Sequence, residues 1–521
     1  MFFNARSVQL VASAWRVFRL STMLALMTSS VAYGQEESEP EYAEAGATEV
    51  LFEDEPTLDS LQLQMRELQA ELERMRAEEQ RVQMPVQNQL SGMESNLQRL
   101  QNQFMESGIA AGRPRSTDIS PSIRTTTNPT YPTTRLTGFF QADAGFVSQD
   151  QVSQQQFGDI QDARGLRRAR LAAVGDISKN ISYMLEVDFA QPGRPSFMDV
   201  WGDIHNVPIF GNIRVGQWRQ PFGMDELTSV RELTFMERPT MFALAPFRQI
   251  GIGSHDTNED QTLTWAASVY GYPTDSNFAA SVGDAGYGFA SRVTALFEDA
   301  CNPHNLIHVG GGYSINNPGL VNGATFNNIR FANTPEYGGV FNGAPTGTTS
   351  SMPAFFDTGF VPSSALSLYN LELAGVYGSL HGQSELRFAV ADTMTQGTIV
   401  IPSYYAQVGY ILTGEVRPYN KLAGVLGRIK PTHAVDDGGI GAWEIAGRYS
   451  YINTNQGAIP ADVQTATLNH GGELNDFTVG LNWYLNSNAK LQFNYIRAML
   501  NRQPLGRSNT DIIGLRAQVD F

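Results

Sequence analysis

The chain has 521 residues, of which 36 are Lys or Arg and 52 are Asp or Glu, so its net charge at pH 7 is −16. This acidic balance argues against a nucleic acid partner, because binding to phosphate backbones requires a basic surface. The single cysteine, Cys301, excludes an intrachain disulfide bond. No apolar run long enough for a membrane-spanning helix follows the first 35 residues.

Residues 1–34 have the pattern of a secretory signal peptide. Three arginines flank or precede a short apolar stretch at 20–31, and the small residues Ala32 and Gly34 stand at the two positions that a signal peptidase inspects. A membrane anchor, which is the alternative, needs a longer apolar run. We therefore predict export of the chain, followed over residues 35–57 by an acidic, disordered segment.

Residues 58–110 repeat apolar side chains at spacings of three and four, with an interruption at Pro85. So narrow a stripe is typical of a coiled-coil seam rather than of one side of a globular helix. The alternative is a helical hairpin that folds back at Pro85. The apolar positions are Leu58, Leu61, Met65, Leu68, Leu72, Met75, Val82, Leu90, Met93, Leu97, Leu100 and Phe104. Residues 111–135, rich in Pro, Thr, Ser and Arg, are predicted to be a linker.

Residues 136–521 replace the heptad pattern by strict alternation, which is the period of a β-strand. A strand in lipid must present apolar groups on one face, while its other face meets water. Because backbone groups in hydrocarbon need partners, such a sheet must close. A soluble β-sandwich also alternates, but the signal peptide and the aromatic Phe521 at the end of the last strand favour an all-β transmembrane barrel. In that strand Ile513, Leu515, Ala517, Val519 and Phe521 alternate with Gly514, Arg516, Gln518 and Asp520.

The alternating region contains seventeen candidate strands. Three tight turns are predicted, at 178–180, 379–380 and 487–488. Barrels of this class keep short turns on the periplasmic side, and these turns share one side only if residues 422–431 do not form a full strand. We therefore predict 16 antiparallel strands, with two long extracellular segments at 220–246 and 317–366. A barrel of this size leaves an aqueous lumen, which an infolded segment can narrow.

Several motifs occur in and around the first long segment. They are VGQWRQPFG at 215–223, ELTS at 226–229 and LTFMER at 233–238, with RRARL at 167–171, LTGE at 412–415, GRIKP at 427–431, GAWE at 441–444 and GLNWYLN at 480–486. In their order along the chain, and over nearly all of residues 136–521, these motifs resemble the phosphate-selective porin O/P family. The resemblance implies a trimer of 16-stranded barrels whose basic constriction passes anions down their gradient.

Arginine is the main basic residue of the predicted barrel, with 20 Arg against four Lys. Its planar guanidinium offers paired donors to an oxyanion and keeps its charge. Fixed charge at the narrowest point of a pore sets ion selectivity. The strongest candidates lie in the first long segment or beside it: Arg219, Arg231, Arg238 and Arg248. Further candidates are Arg168 and Arg170 on one face of a strand, and Arg448 and Arg516, which alternate inward.

A structural role is the alternative for these arginines. Those of the long segment can anchor it to its own acidic residues, Asp225, Glu226, Glu232 and Glu237. Arg168 and Arg170 can pair across strands with Glu186 and Asp188. The neighbouring large apolar residues, Trp218, Phe222, Phe235 and Met236, are predicted to pack and fix the segment rather than to contact ligands.

Neither catalysis nor metal binding is predicted. The run Ser254-His255-Asp256 is not a nucleophile elbow, and adjacent residues of a strand point to opposite faces. Cys301 lies near His304 and His308 in sequence, but two imidazoles and one thiol beside a turn proline are most often incidental, so we predict no metal and no cofactor. The remaining alternative is a structural tether, in which a mostly closed barrel anchors a stalk that binds the cell wall.

The sequence therefore predicts an outer-membrane porin for the passive diffusion of small anions such as phosphate. Outer-membrane lipid surrounds the predicted barrel, and the coiled-coil stalk at 58–110 lies in the periplasm. A self-associating stalk is consistent with a homotrimer, although heptads alone do not fix the number of chains.

Overall fold

The computed structural model describes residues 130–190, 195–274, 286–302, 304–319, 328–338, 352–394, 397–455, 471–502 and 505–521. The predicted signal peptide, acidic segment and coiled coil lie outside these ranges, as does most of the predicted linker. Within the described ranges, no helix is both long and apolar enough to cross a membrane.

Sixteen strands form one closed antiparallel sheet, in which each strand pairs with its neighbours in sequence and β1 also pairs with β16. In chain order they are β1 (Arg135–Gln149), β2 (Ala163–Ser178), β3 (Ile181–Asp188), β4 (Ser196–Val207), β5 (Gly211–Arg219), β6 (Arg248–Thr257), β7 (Leu263–Tyr272), β8 (Gly286–Glu298), β9 (Leu306–Asn317), β10 (Val361–Tyr377), β11 (Leu380–Thr393), β12 (Gly397–Ile411), β13 (Ala442–Asn453), β14 (Glu473–Tyr484), β15 (Ala489–Arg502) and β16 (Gly506–Asp520). The predicted strand number is confirmed. Residues 422–431 contain only the two-residue strand Val425–Leu426.

The polarity of the wall is the reverse of that of a soluble protein. Leu515 and Val519 of β16 are exposed on the outer face, whereas Arg516, Gln518 and Asp520 are buried. The same alternation runs through β3 and β14. Strands that alternate in this way place apolar groups towards lipid and polar groups towards the lumen.

The two ends of the barrel differ in their connections. At the end where Arg135 and Asp520 lie, called the turn end here, the connections are short, and all three predicted tight turns are among them. One connection at this end, 412–441, is far longer, and we call it the strap. At the opposite end, the loop end, the longest connections are 220–247 and 318–360, called the inner loop and the second loop.

Short helices and strands interrupt these connections. Helix α1 (Gln151–Phe157) joins β1 to β2, and the inner loop contains α2 (Met224–Leu227) and a 3₁₀ helix (Thr240–Leu244). The strap contains a second 3₁₀ helix, Val435–Asp437. The second loop is shorter than its predicted range of 317–366, because β10 already begins at Val361. In the second loop, Ala332–Asn333 pairs with Phe356–Asp357, and Asn328–Ile329 pairs with the start of β10.

Candidate functional site

The inner loop lies inside the barrel, against the wall formed by the last strands. The carbonyl oxygen of Thr234 accepts hydrogen bonds from Asn482 at 2.7 Å and from Gln492 at 3.2 Å. The carbonyl of Glu237 accepts one from Arg448 at 2.9 Å. Buried backbone groups need partners, and the inward polar residues of β13 to β15 provide them. The alternation of the strands therefore builds a polar wall that can hold a loop.

The start of the inner loop is fixed by β9 and β11. The amide groups of Met224 and Asp225 donate to the Glu385 carboxylate at 3.2 and 2.8 Å. On the facing strand, a Cβ at Gly312 would lie only 2.0 Å from the carbonyl oxygen of Phe222. Glycine at position 312 thus permits the close approach of the loop to the wall.

Glu237 of the inner loop binds three arginines of the wall. Its carboxylate lies 3.1 Å from Arg167, 2.8 Å from Arg168 and 2.7 Å from Arg516. Arg516 also binds both oxygens of Asp143 at 2.7 Å. Burial opposes ionisation of Glu237, but the three guanidinium groups hold its pKa well below the usual range. Arg168 and Arg516, two of the predicted site residues, therefore anchor the inner loop.

Arg170 and Arg248 form ion pairs within the wall. The Arg170 Nε donates to Asp188 at 2.8 Å, which is the cross-strand pair that the sequence offered as an alternative. Arg248 donates to both oxygens of Asp199, at 3.0 and 3.2 Å. Glu186 lies 3.6 Å from Arg170 and 3.8 Å from Arg248. Arg170 thus pairs with the neighbouring strand β3, whereas Arg248 of β6 reaches carboxylates on β4 and β3.

Arg219 and Arg238 hold α2 and the residue that follows it. Arg219 donates to the three carbonyl oxygens of residues 226–228 at 2.9 to 3.2 Å, and Asp199 lies 3.9 Å away. Arg238 donates to the last of these carbonyls at 2.7 Å and to Asp225 at 3.1 Å. Carbonyl oxygens carry no net charge, whereas the Asp225 carboxylate carries a full negative charge. The positive charge of Arg219 is therefore less neutralised than that of Arg238.

Arg448 holds the second loop inside the lumen. Its Nε donates to Glu336 of that loop at 2.8 Å. Glu336 also accepts hydrogen bonds from Ser450 and, at 2.6 Å, from Thr478. The neighbouring Tyr337 is buried. Both long connections of the loop end therefore enter the barrel and are held there by polar side chains of β13 and β14.

Arg231 differs from the other seven predicted arginines. Its side chain is buried, with an exposed fraction of 3%, yet its Nε and Nη1 atoms have no hydrogen-bond partner among the described residues. The guanidinium lies 5.3 Å from the centre of the Phe139 ring. Burial lowers its pKa, but arginine keeps its charge at neutral pH. Arg231 thus holds a cation with free donors inside the barrel, near the turn end.

A cavity of about 470 Å³ lies between the inner loop, the strap and the inner face of β3 to β8. Two predicted residues, Arg219 and Arg231, line it. It extends to Asp256 and Thr257 near the turn end, as the direction of β6 requires. The inner loop therefore fills one side of the lumen and leaves the open space on the other.

Four further basic residues line this cavity and were not predicted: His205, Arg214, His255 and Arg292. Asp203 binds two of them, since its carboxylate lies 2.5 Å from Arg214 and 3.0 Å from His255. Arg292 donates to Glu372 at 2.9 Å. The alternation of Asn212 and Arg214 with Ile213 and Val215 could have indicated the inward face of β5. Nothing in that pattern indicates which inward residues border open space.

The strap crosses the turn end of the lumen. On one side, Arg428 binds Glu232 of the inner loop and lies 2.7 Å from Asp520 of β16. On the other side, the Tyr419 hydroxyl lies 2.6 Å from His308, and Lys421 donates to Glu298 at 2.7 Å. Burial opposes ionisation of Glu232, but Arg428 keeps its pKa below the ordinary value.

The other chemical motifs of the sequence are dispersed in the fold. Ser254 donates to the carbonyl oxygen of Phe210, whereas its neighbour His255 binds Asp203 inside the barrel. Cys301 is exposed in the connection after β8, while His308 is buried against Glu372 at 3.1 Å. In the described part of the chain, no three His, Cys, Asp or Glu side chains are grouped as metal ligands would be.

Comparison with known proteins extends these observations. The family described as phosphate-selective porin O and P matches residues 135–521. Porin O of Pseudomonas aeruginosa is 27% identical over 409 residues, which cover 74% of this chain and 87% of that protein. A protein of Caulobacter vibrioides is 24% identical over 377 residues, 68% of each chain. The solved structure of OmpT of Vibrio cholerae covers 75% of this chain and 99% of its own, with 11% identity and a TM-score of 0.44. Since the family match spans the whole barrel, this chain belongs to the phosphate-selective porin O and P family.

Proposed function

We propose that the protein is an outer-membrane porin through which small anions, phosphate among them, diffuse passively past the inner loop. The observation that carries this proposal is Arg231, whose buried guanidinium has unpartnered donors and lines the open cavity. A fixed cation at a place where little water can screen it favours anions over cations.

The acidic composition of the barrel does not oppose this proposal. Around Glu237, three arginines face two carboxylates, those of Glu237 and Asp143, so the local balance is positive. The carboxylates of Glu232, Glu237 and Asp199 are paired with arginines and cannot recruit cations freely. Surface carboxylates farther from the lumen are screened by salt. The charge near the path therefore matters more than the total.

We infer the orientation and assembly from the same family. The turn end faces the periplasm, because porin barrels keep short turns on that side. Residue 135 lies at this end, so the predicted linker and the coiled coil at 58–110 extend into the periplasm as a stalk, behind a signal peptide at 1–34 and an acidic segment at 35–57. Three copies form the assembly, with outer-membrane lipid around the barrels and the cell wall within reach of the stalk.

The test is a reversal potential. The purified protein is inserted into a planar lipid bilayer under a KCl gradient, and the measurement is repeated with potassium phosphate. We expect a potential whose sign indicates preferential passage of the anion in both salts. A cation preference would overturn the proposal. Complete absence of conductance in repeated insertions would instead favour the structural tether with a closed barrel.

A further inference from the structure

The inner face of the wall carries an apolar patch beside the cavity. Met184, Trp201 and Trp218, on β3, β4 and β5, form a buried cluster together with Ala172 of β2. All three of the larger side chains line the cavity. The interior of a channel for hydrated ions is normally polar, so an apolar patch with two tryptophans is unusual on this face.

A second apolar surface faces the cavity from the strap. Leu422, Val425 and Leu426 line it, and Leu227 of the inner loop adjoins them. The strap leucine at 422 is exposed, while Val425 and Leu426 pack against the inner loop through Met224. Most of the cavity surface is therefore apolar, although the cavity lies inside a polar barrel.

Arginines interrupt these apolar surfaces. The Arg214 guanidinium lies 4.1 Å from the centre of the Trp201 ring and is paired with Asp203. Arg219 is bound mainly to carbonyl oxygens, and Arg231 has unpartnered donors. A largely apolar cavity of this volume with a few placed polar groups is the usual form of a small-molecule site, for which ~300–1,000 Å³ is typical.

We propose that this cavity selects organic anions, each with an aromatic or aliphatic body and a carboxylate or sulfonate head. This inference rests on the proposed anion channel and names its substrate class. The guanidinium of Arg231, which lines the cavity, attracts the head, while the body contacts Trp218, Met184 and Leu422. An apolar body gains from leaving water against such surfaces, whereas inorganic phosphate gains nothing from them and loses hydration.

The experiment compares two probes, benzenesulfonate and methanesulfonate, which share a head group and a charge and differ in the ring. Each is added to the full-length protein in a planar bilayer that conducts KCl. We expect benzenesulfonate to reduce the chloride current at a concentration about tenfold lower than that needed with methanesulfonate. A factor of about this size is expected when part of the apolar ring leaves water. Equal block by both probes would overturn this inference while leaving the anion channel intact.

Two strap variants locate the site. Leu422→Ser should remove most of the difference between the probes, because it replaces an apolar lining side chain that is exposed and not needed for packing. Ile440→Ser is the matched control, an exposed strap residue that does not line the cavity. An unchanged difference in Leu422→Ser would overturn the placement of the site. A cation preference in the KCl gradient of the same bilayers would overturn the proposed function and this inference together.

Discussion

Arg428 of the strap donates three hydrogen bonds of 2.7 to 3.0 Å to the carboxylate of Glu232 in the inner loop, so the two segments that enter the barrel from opposite ends are joined inside it. Arg428 also donates to the Ser487 carbonyl at 2.8 Å and pairs with Asp520. The strap is thus fastened to both the loop and the wall. Removing this arginine would leave two buried carboxylates without their main partner.

Arg428→Gln should loosen the strap. Loss of one partner from a buried ion pair costs roughly 3–5 kcal/mol, and a displaced strap should increase single-channel conductance. The temperature at which the β-sheet circular dichroism signal is lost in detergent measures the first effect, and bilayer recordings measure the second. Lys421→Gln is the control, since its pair with Glu298 is about one-third exposed and contributes roughly 1 kcal/mol or less. Equal changes in the two variants would contradict the role of Arg428 in holding the strap.

Arg231→Gln should lower the permeability ratio of anions to cations. The substitution removes the buried cation that lines the cavity, while Glu232 and Asp520, which Arg231 attracts from nearby, keep their ion pairs with Arg428. In the double variant with Arg238→Gln, the ratio should fall further, because Asp225 loses its arginine. Reversal potentials in a KCl gradient give the ratios. Arg497→Gln, which breaks a half-exposed pair with Asp511, should leave them unchanged. A double variant with wild-type potentials would reject a role of the inner loop in selectivity.

Glu237→Gln should raise the anion preference and weaken the attachment of the inner loop. The variant removes one negative charge from among Arg167, Arg168 and Arg516 and so leaves the lumen more positive. The same three cations then repel one another without a shared counter-charge, which lowers stability. We expect a lower unfolding temperature together with a shifted reversal potential. A shift towards cations would show that these arginines do not border the ion path.

Glu226 should give the barrel a stability that depends on pH. Burial raises its pKa from 4.5 to about 7, and both carboxylate oxygens lack a hydrogen-bond partner among the described residues. At a pH between these two values, the folded protein keeps the Glu226 proton that the unfolded chain has released. The stabilising contribution of protonated Glu226 is therefore complete below about pH 4.5 and is lost as the pH rises towards 7. The loss amounts to roughly 3 kcal/mol at most.

The measurement is the unfolding temperature of the wild type and of Glu226→Gln from pH 4 to pH 8. Glutamine stands for the protonated acid and cannot ionise. The two proteins should therefore unfold at similar temperatures at the acidic end, and the wild type should fall below the variant as the pH rises. Parallel curves over the whole range would contradict the raised pKa.

The wall of this protein was predictable because alternation is a local property of the chain. Leu515, Arg516 and Val519 reveal their faces by position alone, and lipid outside with water inside enforces the pattern. Turn lengths then fixed the strand number at 16 and excluded residues 422–431 as a full strand. The family resemblance, carried mainly by residues 215–238, was confirmed by the match over residues 135–521.

The partners of the lumen side chains were decided by the tertiary structure. Glu237 meets Arg168 and Arg516, far apart in sequence, only because closure of the barrel brings β2 and β16 to either side of β1 and the inner loop crosses in front of them. The strap gave no sequence pattern that indicates entry into the lumen. Local spacing determines which way a side chain faces, but charge pairing and open space depend on how distant segments fill a shared volume. For that reason only the folded barrel distinguishes Arg231 from the other seven arginines.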